Sequence, residues 1–281
     1  MSQIEPAIEP VVMEGEALIG DIDACEVAAG EMAIWWLGQH SFVVKTKGQV
    51  IYLDPYLTAN PKRRVAPLLR PEEITHATIV TGSHDHSDHI DRPVWPALAE
   101  ASPQARFVVP EMFRETLPGE LGIAADRFVG LDDGASVEID GGRITGVASA
   151  HELLDQDPQT GRHPYHGFVF EVDGCTFYHS GDTCKYDGLE HKLMSWRFDA
   201  VFLPINGRDA ERLARGCIGN MTYQEAVDLA GALAPRLVIP AHWDMFAGNP
   251  GDPVAFTKYA NVKYPDLHVR VCRHGERVTV L

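Results

Sequence analysis

The run His84-Asp85-His86-Ser87-Asp88-His89 constrains this chain more than any other feature of it. It lies between a strand-like apolar segment, Ala77 to Thr81, and a helix-like one, Asp91 to Glu100. Three imidazoles and two carboxylates would fill a core poorly: protonated imidazoles repel, and each buried polar group needs a partner. A divalent cation supplies that partner, because neutral imidazole and carboxylate oxygen are its usual ligands.

The rest of the chain reads as short strands gathered in clusters, with helices between them. Met32 to Leu37, Ser41 to Lys45 and Gln49 to Leu53 form a meander punctuated by Gly38 and Gly48. Ala77 to Thr81 and Arg106 to Val109 are further strands, and Asp91 to Glu100 and Glu111 to Leu121 are helices, the latter interrupted at Pro118-Gly119. Strands follow at Ser136 to Ile139, Arg143 to Ala148, Gly167 to Val172, Thr176 to His179, Ala200 to Leu203 and Leu237 to Pro240. Helices are expected over Thr222 to Leu233, where Thr222 and Glu225 make a capping box, and over Pro253 to Tyr264. His268 to Val271 and Arg277 to Leu281 are read as closing strands. The fold class expected is α/β, an αββα sandwich in which two mixed sheets pack face to face with helices outside. Residues 1–30 read as an arm and a short helix (Ala17 to Ala29), and residues 31–281 as a single domain.

Lys and Arg number 24 against 40 Asp and Glu, a formal charge of -16. So acidic a chain argues against non-specific binding to nucleic acid or to anionic membrane. A small anionic substrate stays compatible with it, since a bound cation reverses the local field. The partner expected is therefore a small molecule, with no nucleic acid and no membrane; self-association as a homo-oligomer is compatible with the composition. The N-terminus has neither a basic start nor an apolar run, so no secretory leader is expected there. Five dispersed cysteines suggest reduced thiols and a cytoplasmic location.

The remaining candidate ligands fall at the ends of expected strands. Asp54 closes the third strand, His151 follows Ile144 to Ala150, Asp182 follows Thr176 to His179, and His242 follows Leu237 to Ala241. If those ends share one edge, the ligand-type side chains converge, and loops at strand ends are where rigid scaffolds place catalytic groups. His40 and His179 are further candidates for the pocket, His179 either steadying a ligand or facing the substrate.

His-x-His-x-Asp-His, a later His, Gly181-Asp182-Thr183 and a C-terminal His, in that order, resemble the metallo-β-lactamase superfamily over about Met32 to His242. Within it the chain is similar to the L-ascorbate-6-phosphate lactonase-like branch, through Trp35-Trp36-Leu37-Gly38, His84 to Asp91, Tyr178 to Asp182 and Val238 to His242. The resemblance implies two divalent metal ions. His84, His86 and His151 would hold the first, Asp88, His89 and His242 the second, with Asp182 bridging and Asp54 steadying the ligand histidines. Glu152, His163, His166 and His179 lie near the third ligand position, for which His151 is the candidate. Nitrogen and oxygen ligands permit Zn²⁺ and equally Mn²⁺ or Fe²⁺, and the lactonase branch is associated with manganese.

The function expected is hydrolysis by a metal-bound hydroxide, with Asp88 and Asp182 as catalytic residues that hold and orient the nucleophile. The substrate class favoured is a small polar ester, a sugar-derived lactone, phosphorylated or not; the alternative is a small-molecule or cyclic phosphodiester. For substrate binding the sequence offers Asn206, Arg208 and Asn220, with His166 as rim and Trp243 as wall. Arg208, Arg212 and Arg215 could clamp an anion, or could merely solvate an exposed loop.

Overall fold

A computed structural model of the chain describes residues 6–281. In the first half, β1 (Met32–Gly38), β2 (Ser41–Lys45), β3 (Val50–Leu53), β4 (Ile79–Thr81), β5 (Arg106–Pro110) and β6 (Phe128–Leu131) follow one another. The second half adds β7 (Ser136–Ile139), β8 (Gly142–Ala148), β9 (His166–Val172), β10 (Cys175–His179), β11 (Ala200–Pro204), β12 (Leu237–Ala241) and β13 (Arg277–Val280). Among the described residues these form a seven-stranded sheet, β13-β1-β2-β3-β4-β5-β6, and a six-stranded one, β12-β11-β10-β9-β8-β7. Both are mixed: β3 through β6 pair in parallel, as do β10, β11 and β12, and the other neighbours are antiparallel.

Every residue of β1 is buried, and its period of two explains why. Met32, Ile34 and Trp36 join the core between the sheets, together with Phe42, Phe168, Phe170 and Phe202. Ala33, Trp35 and Leu37 face the opposite way, into an outer layer with Leu18, Ile22, Trp95 and Leu98. A strand apolar on both faces needs cover on both. Helices α1 (Gly15–Ala24), α2 (Trp95–Ala101) and α3 (Leu117–Leu121) contribute to that outer layer. On the second sheet, α4 (Leu189–Leu193), α5 (Ala210–Ala214), α6 (Tyr223–Leu233) and α7 (Pro253–Lys263) follow in order, and Ala226, Val227, Leu229 and Ala230 of α6 pack with Val238 and Ile239 of β12. The expected αββα sandwich is the observed fold. Phe42 and Phe202 meet across the two sheets with ring centroids 4.6 Å apart.

Three expected elements differ, each for a local reason. His268 to Val271 is no strand: Val238 donates to His268 O and accepts from Arg270 N, and the pairing stops at that single bridge. The next outward-facing amide of β12 would be that of Pro240, which has no N–H to give. The helix expected over Glu111 to Leu121 breaks into a 3₁₀ turn, Glu111–Phe113, and α3, because Pro118 cannot continue a helix and begins a new one. The helix expected from Asp91 begins at Trp95, with Pro96 in its first turn, and Asp91 instead caps the amides of Leu57 and Thr58. β6 was not expected at all. The arm lies partly outside the described residues; where described it is tied down, Val12 N donating to His274 O and the Arg64 side chain to Pro6 O.

Candidate metal centre

Strand ends from both sheets meet at one edge of the sandwich. β4 delivers Ser83 and the histidine run, β3 delivers Asp54, β8 leads to His151, β10 to Asp182 and β12 to His242, while the β1–β2 turn inserts Gln39 and His40. Three overlapping groups of potential ligand atoms result: His84, His86 and His151; His84, His89 and Asp182; Asp88, His89 and His242. Within each, the atoms lie within 4.8 Å of one another. Asp182 spans the centre. Its Oδ1 is 3.4 Å from His89 Nε2, and its Oδ2 is 3.1 Å from His242 Nε2 and 3.7 Å from His151 Nε2.

Hydrogen bonds to the outer ring nitrogen orient three of the candidate ligands, His84, His89 and His151, with Nε2 turned inward. Asp54 carries four hydrogen bonds on two buried oxygens. Thr81 Oγ1 and Ser83 N donate to Oδ1, and Ser83 Oγ and His89 Nδ1 donate to Oδ2. His84 Nδ1, 3.0 Å from Ser83 Oγ, donates to that hydroxyl, whose own proton is on Asp54. His151 Nδ1 donates to Gly219 O at 3.0 Å. In each ring the Nε2 is left for the centre, the arrangement that orients metal-bound imidazole.

Charge follows from burial and neighbours. Burial pushes His84, His86 and His151 below the ordinary imidazole range, and the positive charge of His89 adds to it in all three; they stand neutral, which is the ligand form. Burial also opposes charge on His89 and His242, but the Asp182 and Asp88 carboxylates outweigh it, raising His89 well above and His242 to about 9. Burial pushes Asp182 up, but His242 and His89 overcome it and hold its carboxyl well below the usual range. Two protons on imidazoles thus balance two buried carboxylates where a cation would otherwise do so.

The fit to a cation rests on orphaned atoms. His89 Nε2 and Asp182 Oδ1 are buried with no hydrogen-bond partner, and they face each other. A buried carboxylate oxygen and imidazole nitrogen left unpaired are costly in a protein interior and are satisfied together by a divalent ion. Backbone strain concentrates here too. Gln39, Asp54, Glu152 and His242 all have φ between +42° and +64°, left-handed conformations that side chains other than glycine adopt at a cost of about 1–3 kcal/mol each.

The other expected residues are distributed differently. Asn220 is fully buried beside the ligand loops, with Gly219 O on His151 and Met221 N on Thr183 O; its Nδ2 donates to Asn206 Oδ1 and its own Oδ1 has no partner. Arg208 makes a two-pronged ion pair with Glu225 at 2.7 and 2.8 Å and donates to Asn220 O, and Arg212 pairs with Asp209 and donates to Asn206 O. The expected anion clamp therefore has two of its arginines engaged in bracing their own loop. His166 is fully buried with Nε2 3.2 Å from Asp132, and its N–H braces Ser83 O, so it supports the histidine loop from behind. Trp243 packs on Trp36 with centroids 5.2 Å apart and donates to Pro240 O, joining the core. His179 donates from Nε2 to His40 O.

Tyr165 sets its ring against His84 and His151, with centroids 5.5 and 5.3 Å away. Ser83 and Gln39 carry no chemical signature in the sequence that marks them for the site. Adjacency was the available signal, Ser83 preceding the first ligand and Gln39 following Gly38 in a tight turn.

A family model described as a beta-lactamase superfamily domain matches residues 33–242. The chain belongs to that superfamily. It is 26% identical over 250 residues to a UPF0173 metal-dependent hydrolase of Nitratidesulfovibrio vulgaris, covering 88% of this chain and 95% of that one. A UPF0173 metal-dependent hydrolase of Pyrococcus abyssi is 27% identical over 245 residues, 86% and 97% of the two chains. Among solved structures, Igni18, a metallo hydrolase from the archaeon Ignicoccus hospitalis, superimposes with a TM-score of 0.71 at 22% identity, covering 89% of this superfamily member and 99% of Igni18. That likeness carries the fold.

Proposed function

We propose that this superfamily member is a hydrolase dependent on two divalent cations, and that it opens a small polar ester, a sugar-derived lactone being the class favoured. The observation that carries the reading is the convergence of His84, His86, Asp88, His89, His151, Asp182 and His242 around buried ligand atoms without protein partners. The related proteins of N. vulgaris and P. abyssi are described as metal-dependent hydrolases, in keeping with it. His84, His86 and His151 would hold one cation and Asp88, His89 and His242 the other, with Asp182 shared. Divalent cations held there would polarise the scissile carbonyl and acidify water at neutral pH.

The chain's own residues do the rest. Asp182 and Asp88 stay ionised, so both are available to hold the cations and to accept a hydrogen bond from the attacking water. Asn220, whose buried Oδ1 lacks a donor, suits a sugar hydroxyl. The resemblance to the ascorbate-phosphate lactonase branch supports a lactone, and the pairing of Arg208 and Arg212 within their own loop favours a neutral sugar portion over a phosphorylated one.

The test is direct. Purified protein, loaded in turn with Zn²⁺ and Mn²⁺, is assayed against a panel of sugar and simple lactones and against bis(4-nitrophenyl) phosphate. Opening of at least one sugar lactone, abolished together with metal uptake in Asp182→Ala, is the expected result. Faster turnover of the phosphodiester than of any lactone replaces the lactone by that class; no hydrolysis of any substrate by metal-replete protein overturns the hydrolase reading.

A further inference from the structure

Gln39 has no place in the ligand set above, yet its carboxamide touches that set twice. Its Nε2 lies 2.8 Å from Asp88 Oδ2 and 2.9 Å from His242 Nε2. Two ligands set at right angles around a cation, each about 2.1 Å from it, are about 3.0 Å apart. The same spacing occurs between His84 Nε2 and His86 Nδ1, at 2.9 Å. The end of the Gln39 side chain therefore stands in the position of a neighbouring ligand.

Its backbone is committed to that position. Gln39 has a φ of +53°, unfavourable for a residue with a side chain, and three hydrogen bonds hold it there. Its N–H donates to Asp244 Oδ1 at 3.0 Å, and its carbonyl accepts from His242 N at 2.9 Å and from the Trp36 indole at 3.2 Å. His242 is itself left-handed, with φ +57°. Two strained residues from different sheets are thus locked to each other through main chain and side chain, with the amide head directed at the centre.

The chemistry decides which end of the amide faces inward once a cation is bound. Asp88 Oδ2 and His242 Nε2 then turn their lone pairs to the ion, and an N–H against His242 Nε2 has no acceptor there. A half-turn of the carboxamide presents Oε1 instead, an oxygen that a divalent cation accepts as ligand. Resting on the two-cation reading, we propose that Gln39 is a further ligand of the second cation, binding through its side-chain oxygen beside Asp88, His89 and His242.

Metal-free full-length protein is titrated with Co²⁺, followed by visible absorption and by competition with a chelator, with thermal unfolding of the metal-free form as a control for folding. Wild type takes up two equivalents. Gln39→Ala binds the first as wild type does and the second about ten-fold more weakly, with a changed absorption band for that equivalent. Gln39→Glu, which keeps an oxygen there, binds the second at least as tightly as wild type. Gln39→Met, of similar length and without oxygen, behaves as Gln39→Ala and serves where alanine impairs folding. Two wild-type equivalents with an unchanged second equivalent in the alanine and methionine variants overturn the assignment of Gln39 alone. So does a glutamate variant as weak as the alanine one, which would make Gln39 a donor to Asp88. A wild-type protein that takes up a single equivalent overturns the two-cation reading and Gln39 with it.

Discussion

Asp54 shows how much of the centre depends on a residue that need never touch a cation. Its carboxylate is fully buried, and although burial pushes it up, His179, His89 and Ser83 hold it at about 2. Asp54→Asn keeps the size but sets an amide against the His89 N–H. Metal affinity should fall about 10–100-fold, as for other partners of ligand histidines, and chelator competition measures it. The protons on His89 and His242 give a second expectation. A cation must displace both, so apparent affinity rises with pH towards about 9, and calorimetry in buffers of different ionisation enthalpy should count protons released on binding. Without metal the sign for folding is opposite. A histidine raised from 6.5 to about 9 adds stability that is fully present below 6.5 and lost as pH rises through 9. Chelator-treated protein should therefore unfold at a lower temperature at pH 9 than at pH 6.5, and a flat profile would contradict the charge assignment. At this scale the sequence was most legible where residue types are rare. Clustered histidines announce themselves, whereas Gln39 and Ser83 belong to types found on every surface.

Elements explain why the arginine loop admits two readings along the chain. Thr222 and Glu225 form the expected capping box at the start of α6, and Glu225 also takes both prongs of Arg208. Read along the chain, three arginines near a helix start resemble an anion site; in space two of them hold the loop in shape. Arg208→Ala and Glu225→Ala should accordingly act alike. Each removes a partly exposed pair, for roughly 0.5–1 kcal/mol in denaturant unfolding, with the capping loss of the Glu225 variant added. Neither should raise KM selectively for anionic substrates. A large KM effect confined to Arg208→Ala and to phosphorylated lactones would restore the clamp. Strand positions were legible through alternation and through Gly-containing turns. The lost strand at His268 and the divided helix at Pro118 came from prolines, whose effect on a neighbour's ladder depends on which face they turn to it.

For the whole molecule, the centre is only as well formed as the packing between its two sheets. Ligands that follow β4 meet ligands that follow β8, β10 and β12 because apolar faces fix the separation of the sheets. Phe202, fully buried against Phe42, sits on the second sheet's inner face. Phe202→Ala should cost about 3–5 kcal/mol in unfolding free energy and weaken metal binding, although no ligand is touched. Elemental analysis and thermal unfolding of the same preparation check both halves of that expectation.

The chain alone settled the ingredients: which residue types could bind a cation, that they stand after strands, and that strands and helices alternate in a layered α/β pattern. These are consequences of local periodicity and of rare side-chain chemistry, and both are written in order along the polymer. Pairing was decided only in three dimensions. That Gln39 meets His242, that Arg208 answers Glu225 and that His166 stands behind Ser83 follow from contacts between residues separated by up to 203 positions. Such partners are chosen by the packing of two sheets, which no short window of residues contains.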